Sequence, residues 1–515
     1  MDQSPVGNFT PSNLFRWVLG VVATFFALSI MLKAVFDFET QWDGLWYHLP
    51  FAARLLGIVP ESSLQFSLGL QYRYAGFPLL GEYLQGLAWY VTGRPESANL
   101  VAFLSLAAYV VFLKRYFKVP LYLAVLALLA IPAVHFHAST CYVDLIGNLA
   151  VATLLMIVFA IFIGRRAPTL MDLFVSIILV AVAINTKFML APMAVLGLAL
   201  LVLKIVFPTL LAPGAVFENR AKWLALLALV LPLVFLTPLK NIWLHGNPVF
   251  PMQINVAGFE LPGAEQTRDD LSPAQLREMP RSLRWLVSVL ELSPGSHDKN
   301  SRSNRPDHWR GGPLVQTLWS HDQYTGGFNQ PDMWMGGTFG AYILFNLLFL
   351  AFMSWRVWSP EVGVGIGLFA LVSLVTSLSP ESHIIRYYMY WPIFLISINL
   401  ALLQKACQSR QTGLVISGNL YGAVALMAVL VVVTRTDGKY TFPTFFSFDD
   451  YLNKVIDKDI IAGFVPGDKV CLVGQPFETN YFYYAPQFWG NRDYVIRNTM
   501  FKERDCGDYR VIEKH

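Results

Sequence analysis

Apolar runs of about 20 residues recur along almost the whole chain, and that is the length an α-helix needs to cross the hydrocarbon core of a bilayer. The pattern predicts about eleven such helices, near 14–36, 97–117, 119–138, 142–163, 169–186, 188–207, 222–239, 340–357, 361–379, 386–404 and 414–434. Composition agrees: of 515 residues 55% are hydrophobic and only 14% charged, too few to clothe a water-facing surface, so lipid must serve as solvent. The net charge is only +4 and the basic residues are scattered between apolar runs, which argues against a nucleic-acid partner. The first run is too long for a signal-peptide core and no small-residue cleavage site follows, so it reads as a retained anchor.

The scattered cations report orientation instead. With the N-terminus in the cytoplasm, Lys114, Arg115, Lys118, Arg165, Arg166, Lys204, Arg220, Lys222, Arg356, Lys405 and Arg410 all fall in cytoplasmic turns, the positive-inside bias. An odd number of spans then places the loops 37–96 and 240–339, and the tail after Thr434, outside. In the first outer loop, 45–56 and 79–91 are apolar and aromatic but too short to cross, and read as interfacial helices. The second carries one amphipathic piece around 281–292.

The chain divides into a transmembrane domain, 1–435, and a tail, 436–515, that turns charged and aromatic. The tail predicts a helix over 450–461 and strands over 469–474, 493–497 and 508–513, hence a small extracytoplasmic α/β domain. Four cysteines with no C-x-x-C spacing exclude a thiolate zinc site. Cys471 and Cys506 both fall in the tail, where they either pair in an oxidising compartment or stay as buried thiols.

Ionisable groups at membrane depth are costly and are functional candidates by default. Those at predicted outer helix ends are Asp43, His48, His135, His137, Asp144, Lys187, Lys240, His383 and Arg386. Asp43, walled by Trp42, Trp46 and Tyr47, is either a general base or a helix N-cap. His48 lies five residues on, about 140° around an ideal helix, and need not share its face unless Pro50 distorts the turn. Asp144 is either a partner of Asp43, as metal ligand or substrate-orienting carboxylate, or another N-cap. His135 and His137, two apart, point to different sides and make a poor metal pair. Lys187, Lys240 and Arg386 are cations suited to an anionic head group, Arg386 by forked hydrogen bonds, or they snorkel to the interface.

Several segments resemble the GT-C superfamily of membrane glycosyltransferases, in particular bacterial relatives of the protein mannosyltransferases and of aminoarabinose transferase. Trp42-Asp43 with Tyr47 and Ala52-Ala53-Arg54 looks like that family's acidic motif at the start of the first outer loop. Tyr74 to Pro78 with Leu79-Leu80 looks like its aromatic-proline turn, and Tyr142-Val143-Asp144 like its second aspartate at an outer helix end. Leu239-Lys240-Asn241 with 246–251, and Arg386-Tyr387-Tyr388 with Pro392, resemble further segments, so that the likeness covers about 1–440. Two departures stand out: Ala75-Gly76-Phe77 occupies the place of a Glu-Lys pair, and Gly44 that of a second acid.

The resemblance implies a GT-C-like helical fold in a bacterial cytoplasmic membrane with the tail periplasmic or extracellular. It implies transfer of a sugar from a polyprenyl-phosphate-linked donor to an acceptor hydroxyl on a glycan, lipid or protein. Asp43 would be the base and Asp144 a supporting acid, while Arg386, Lys187, Lys240, His48 and Tyr74 would bind substrate; a divalent metal stays open. In the second outer loop Trp309, Trp319 and Trp334, with Asp322 and Asp332, would either hold sugar rings or form an interfacial belt. Two other classes remain. A transporter or flippase of lipid-linked glycans predicts mid-span charges and paired half-helices in repeated halves. A non-catalytic envelope assembly protein predicts no shared purpose for Asp43 and Arg386.

Overall fold

A computed structural model describes residues 11–164, 168–207, 220–256, 258–266, 279–290, 339–356, 358–408, 412–474, 477–499 and 506–513. The tryptophans and acids singled out between 309 and 334, and Arg165, Arg166 and Arg410, lie outside these residues.

The chain is a multi-pass helical membrane protein. Seven described helices are long and apolar enough to cross a bilayer: Asn13–Phe36, Pro95–Phe117, Asp144–Ile163, Phe188–Val206, Phe339–Arg356, Pro360–Leu378 and Tyr390–Cys407. The predicted run 222–239 instead forms Arg220–Val234 and Leu236–His245, bent by 69° at the break. Pro232 and Pro238 remove backbone donors on either side of that bend. The predicted run 119–138 is not one helix either: it breaks between Leu121–Leu129 and Pro132–His137, because Pro132 can begin a helix but not continue one. Its apolar character reflects burial, with residues 123, 124 and 126–142 enclosed almost without exception. Leu170–Thr186 and Thr412–Arg435 complete the helical set.

Basic residues occupy the last turns of helices that run away from Asp43: Lys114 and Arg115, Lys204, Arg356 and Lys405. At the Asp43 end, the predicted interfacial pieces form Gly44–His48 with Leu49–Leu55, and Leu80–Thr92. The two pieces cross so closely that a Cβ on Gly86 would lie 2.5 Å from the carbonyl oxygen of Ala52.

The tail carries the predicted strands and joins the first loop in one sheet. β1 (Leu64–Gln65) from the first loop, β5 (Asp468–Val473), β6 (Tyr494–Asn498) and β7 (Arg510–Glu513) align in the order β1-β6-β5-β7, all parallel. Three short strands of the second loop, β2 (Met252–Val256), β3 (Phe259–Leu261) and β4 (Glu265–Gln266), form a separate sheet in the order β3-β2-β4. The predicted helix 450–461 divides into Phe448–Lys454 and Lys458–Ala462, each started by its own side-chain cap, Ser447 and Asp457. Cys471 and Cys506 are disulfide-bonded. Loop and tail share a core, in which Phe38, Leu49, Phe51 and Trp89 pack with Tyr451, Phe482, Tyr483 and Ile496.

Gly86→Ala is expected to destabilise the first loop, since the obstructing atom is backbone and overpacking costs about 1–3 kcal/mol. Thermal unfolding in detergent should give a lower midpoint than wild type; an unchanged midpoint would mean that the two helices separate without penalty.

Candidate active site

The first loop leaves the membrane helix at Phe36 and turns back through a single π-helical turn, Gly44–His48. Hydrogen bonds in such a turn run from i to i+5, and isolated π turns gather at functional sites. Pro50, which has no N–H to donate, follows the turn, and the Trp46 carbonyl accepts instead from the Tyr481 hydroxyl. The expectation that His48 need not share the face of Asp43 fits the contacts: His48 turns to Glu82 and Asp43 to Arg386. Gly44 has a packing reason, since a Cβ there would meet Glu39 Cγ at 2.5 Å and Cys141 Sγ at 2.8 Å. A second acid at this position has no room.

Two carboxylate–cation pairs meet beyond this turn. Arg386 Nη1 donates to Asp43 Oδ2 at 2.9 Å, joining residues 343 apart in sequence. Lys187 Nζ donates to Asp144 Oδ1. Aromatic rings bind the pairs together: the Lys187 ammonium lies 3.9 Å from the centre of the Tyr387 ring, and the Arg386 guanidinium 5.0 Å from Tyr387 and 5.5 Å from Tyr142. Within each pair exposure is unequal. Asp43 keeps 14% of its side chain accessible against 9% for Arg386, and Lys187 keeps 20% against 2% for Asp144.

Asn148 positions these elements, a role its sequence context did not announce. One turn after Asp144, its Nδ2 donates to the carbonyls of Asp144 (2.7 Å) and Arg386 (3.3 Å), while its Oδ1 accepts from the Tyr390 amide (2.8 Å). The signal available in the sequence was an Asn inside an otherwise apolar span, where an unpartnered amide would be costly. Burial, with the nearby Asp43 carboxylate adding to it, holds the phenols of Tyr47 and Tyr142 well above the ordinary tyrosine range. Both remain neutral hydroxyls.

The other predicted residues lie around this centre without joining it. His48 Nδ1 is 2.8 Å from Glu82 Oε1, both side chains buried, which locks the π turn to Leu80–Thr92. Tyr74 packs against Phe51 and Phe66, with ring centres 5.3 and 5.7 Å away. Lys240 Nζ donates to the carbonyl of Ala75 (2.5 Å), and Asn241 to those of Gly76 (2.7 Å) and Phe250 (3.1 Å). The segment around 240 thus clasps the turn at 74–78. Arg73 grips Glu265 with two bonds, 2.6 and 2.8 Å, while its guanidinium lies 4.8 Å from the Trp46 ring. His135 Nε2 pairs with Thr441 Oγ1 (2.8 Å), and His137 Nδ1 with the Ala133 carbonyl (2.6 Å). Ser288 donates to the carbonyl of His383 (2.5 Å).

For a divalent metal the donor set fits poorly. Among the described residues no three His, Cys, Asp or Glu side chains converge on one point, and both acids of the centre are engaged by cations.

No family model matches this chain, and no curated protein does. Two solved structures are similar to it: ArnT from Cupriavidus metallidurans bound to undecaprenyl phosphate, and ArnT from the same organism in the apo state. Each has a TM-score of 0.45 and 13% identity, with 84% of its own chain covered and 92% and 94% of this chain, respectively.

Behind the π turn Glu39 is fully enclosed, accepting from the amides of Gln41 (2.6 Å) and Cys141 (2.8 Å). Burial raises its carboxyl above the ordinary 4.5, and those amides offset part of the rise. The folded protein therefore holds this proton more tightly than the unfolded chain. The resulting stabilisation is complete below the ordinary value and is lost as pH rises through the raised one. Glu39→Gln should remove that dependence: as pH rises from below the ordinary carboxyl value through the raised one, the wild-type thermal midpoint should fall relative to the variant's. Parallel curves would mean that Glu39 titrates alike in both states.

Proposed function

We propose that the chain is a membrane glycosyltransferase that moves a sugar from a polyprenyl-phosphate-linked donor to an acceptor hydroxyl, with Asp43 as base. The observation that carries this reading is the pair of ion pairs, Asp43–Arg386 and Asp144–Lys187, set side by side at one end of the helices. Glycosyl transfer with inversion needs two things at once, a base on the attacking hydroxyl and a counter-charge for the departing phosphate. The acceptor oxygen bonds to the anomeric carbon, its proton passes to Asp43, and the bond from that carbon to the phosphate oxygen breaks with its electrons on the phosphate.

Unequal exposure supports a division of roles. In the first pair the carboxylate is the more accessible partner, and in the second the ammonium is. This favours Asp43 as the group that meets the hydroxyl and Lys187 as the group that meets the phosphate. Arg386, hydrogen-bonded to Asp43, orients that carboxylate and adds positive charge behind the phosphate, while Asp144, sealed beneath Lys187, positions that ammonium. Tyr47 and Tyr142, held neutral, leave Asp43 as the basic group facing the substrate. The sequence resemblance supports the same reaction, and the basic helix ends remote from Asp43 support an extracytoplasmic site with the polyprenyl chain in the membrane beside it.

Asp43→Asn should lower transfer from a polyprenyl-phosphate sugar, measured per folded protein, by about 10²–10⁴-fold, the usual contribution of a general base. Wild-type turnover in this variant would remove Asp43 as the base. Lys187→Met is expected to raise the donor KM more than it lowers kcat; if the donor KM stays unchanged while kcat collapses, Lys187 does not hold the ground-state phosphate.

A further inference from the structure

The first membrane helix carries a second feature at the end remote from Asp43. Between Asn13–Phe36 and Pro95–Phe117, over the broken helix Leu121–Leu129, a groove of about 1090 Å³ opens toward the lipid. Ala23, Ala27, Phe103, Leu106, Val110 and Val125 make its wall almost wholly apolar. Its contour does not continue to Asp43. It ends instead at Arg16, Lys114 and Tyr122, near the start of one helix and the end of the other.

We infer that this groove is a binding site for an anionic phospholipid, one acyl chain lying along the apolar wall and the phosphate held between Arg16 and Lys114. Charge complementarity selects the occupant. Arg16 and Lys114 are exposed, and neither is ion-paired among the described residues; Arg16 makes only a long bond to Asn419 Oδ1, 3.4 Å. Cations beside an anionic leaflet attract acidic headgroups, and an apolar cleft that opens sideways into the bilayer admits an acyl chain without first desolvating it. The donor's own polyprenyl chain is the poorer occupant. Its phosphate belongs beside Lys187, whereas the cations of the groove lie near the opposite end of a 26-residue helix, about 39 Å long at 1.5 Å per residue. Only this choice between the two lipids rests on the proposed transferase reaction.

The test uses the purified full-length chain, delipidated in detergent and titrated with phosphatidylglycerol or phosphatidylethanolamine under native mass spectrometry. One phosphatidylglycerol should be retained per chain, and phosphatidylethanolamine should bind more weakly. Arg16→Gln with Lys114→Gln should weaken the retained lipid by roughly fivefold per charge removed, the contribution of a single surface cation near an acidic headgroup. Gly20→Leu points into the groove, where an added Cβ meets no atom within 4 Å, so it should expel the lipid while leaving the thermal midpoint in detergent unchanged. Equal retention of the two lipids, full retention in Gly20→Leu, or displacement of phosphatidylglycerol by an equimolar polyprenyl phosphate would each overturn the proposal. Because no sugar transfer is measured, none of these outcomes depends on Asp43.

Discussion

Everything at the functional end of this protein depends on the neutralisation of four charges that lie where the helices leave the membrane. A single buried ion in such a setting is costly, and removing one partner of a pair strands the other. Asp43–Arg386 and Asp144–Lys187 answer that constraint with partners drawn from four separate stretches of chain. The first loop, the start of the Asp144 helix, the corner after Thr186 and the segment before Tyr390 must all be in place before either pair closes. Asn148 adds hydrogen bonds that hold the Asp144 and Arg386 backbones together. The candidate site is thus also a junction of the fold, and its charges are ordered before any substrate arrives.

The tail supports this junction from behind. Thr444 and Phe445 donate backbone N–H groups to the Asp37 carboxylate, Phe448 donates to Glu96, and Tyr481 donates to the carbonyl of Trp46. These bonds fix both ends of the stretch that carries Asp43. β1 pairs with β6, and Asn498 accepts from the Ser67 amide, so the first loop supplies an edge of the tail's own sheet. The π turn can depart from α-helical geometry because its surroundings hold it: Glu82 on His48, and Glu39 with Cys141 against Gly44.

Much of this was legible in the sequence, and the limits of legibility have physical causes. Most apolar runs, the described basic helix ends and the short aromatic helices of the first loop follow from hydrophobic period and charge alone, and outside 119–138 and 222–239 the structure reproduces them within a few residues. The run 119–138 misled because a helix buried by protein and a helix bathed in lipid are equally apolar; only Pro132 distinguished them. Asp43, Asp144, Lys187 and Arg386 stood out as ions beside apolar runs, but which carboxylate would take which cation is a question of tertiary distance that no local pattern encodes. Arg73 was invisible for a similar reason, since its partner Glu265 lies 192 residues away. Lys240 looked like its fellow cations in sequence, yet a backbone carbonyl of the 74–78 turn receives its charge.

The most consequential property of the site is its asymmetry. Two equally buried ion pairs would present a neutral, closed surface with nothing for a substrate to approach. Here each pair turns a different member outward, Asp43 from one and Lys187 from the other, while Arg386 and Asp144 sit deeper and hold them. In the reading proposed above, an uncharged hydroxyl and an anionic phosphate would meet different groups in the same small space, Asp43 and Lys187. Under that reading one guanidinium would serve both the carboxylate and the phosphate, a task suited to an arginine with several donors in a fixed fork.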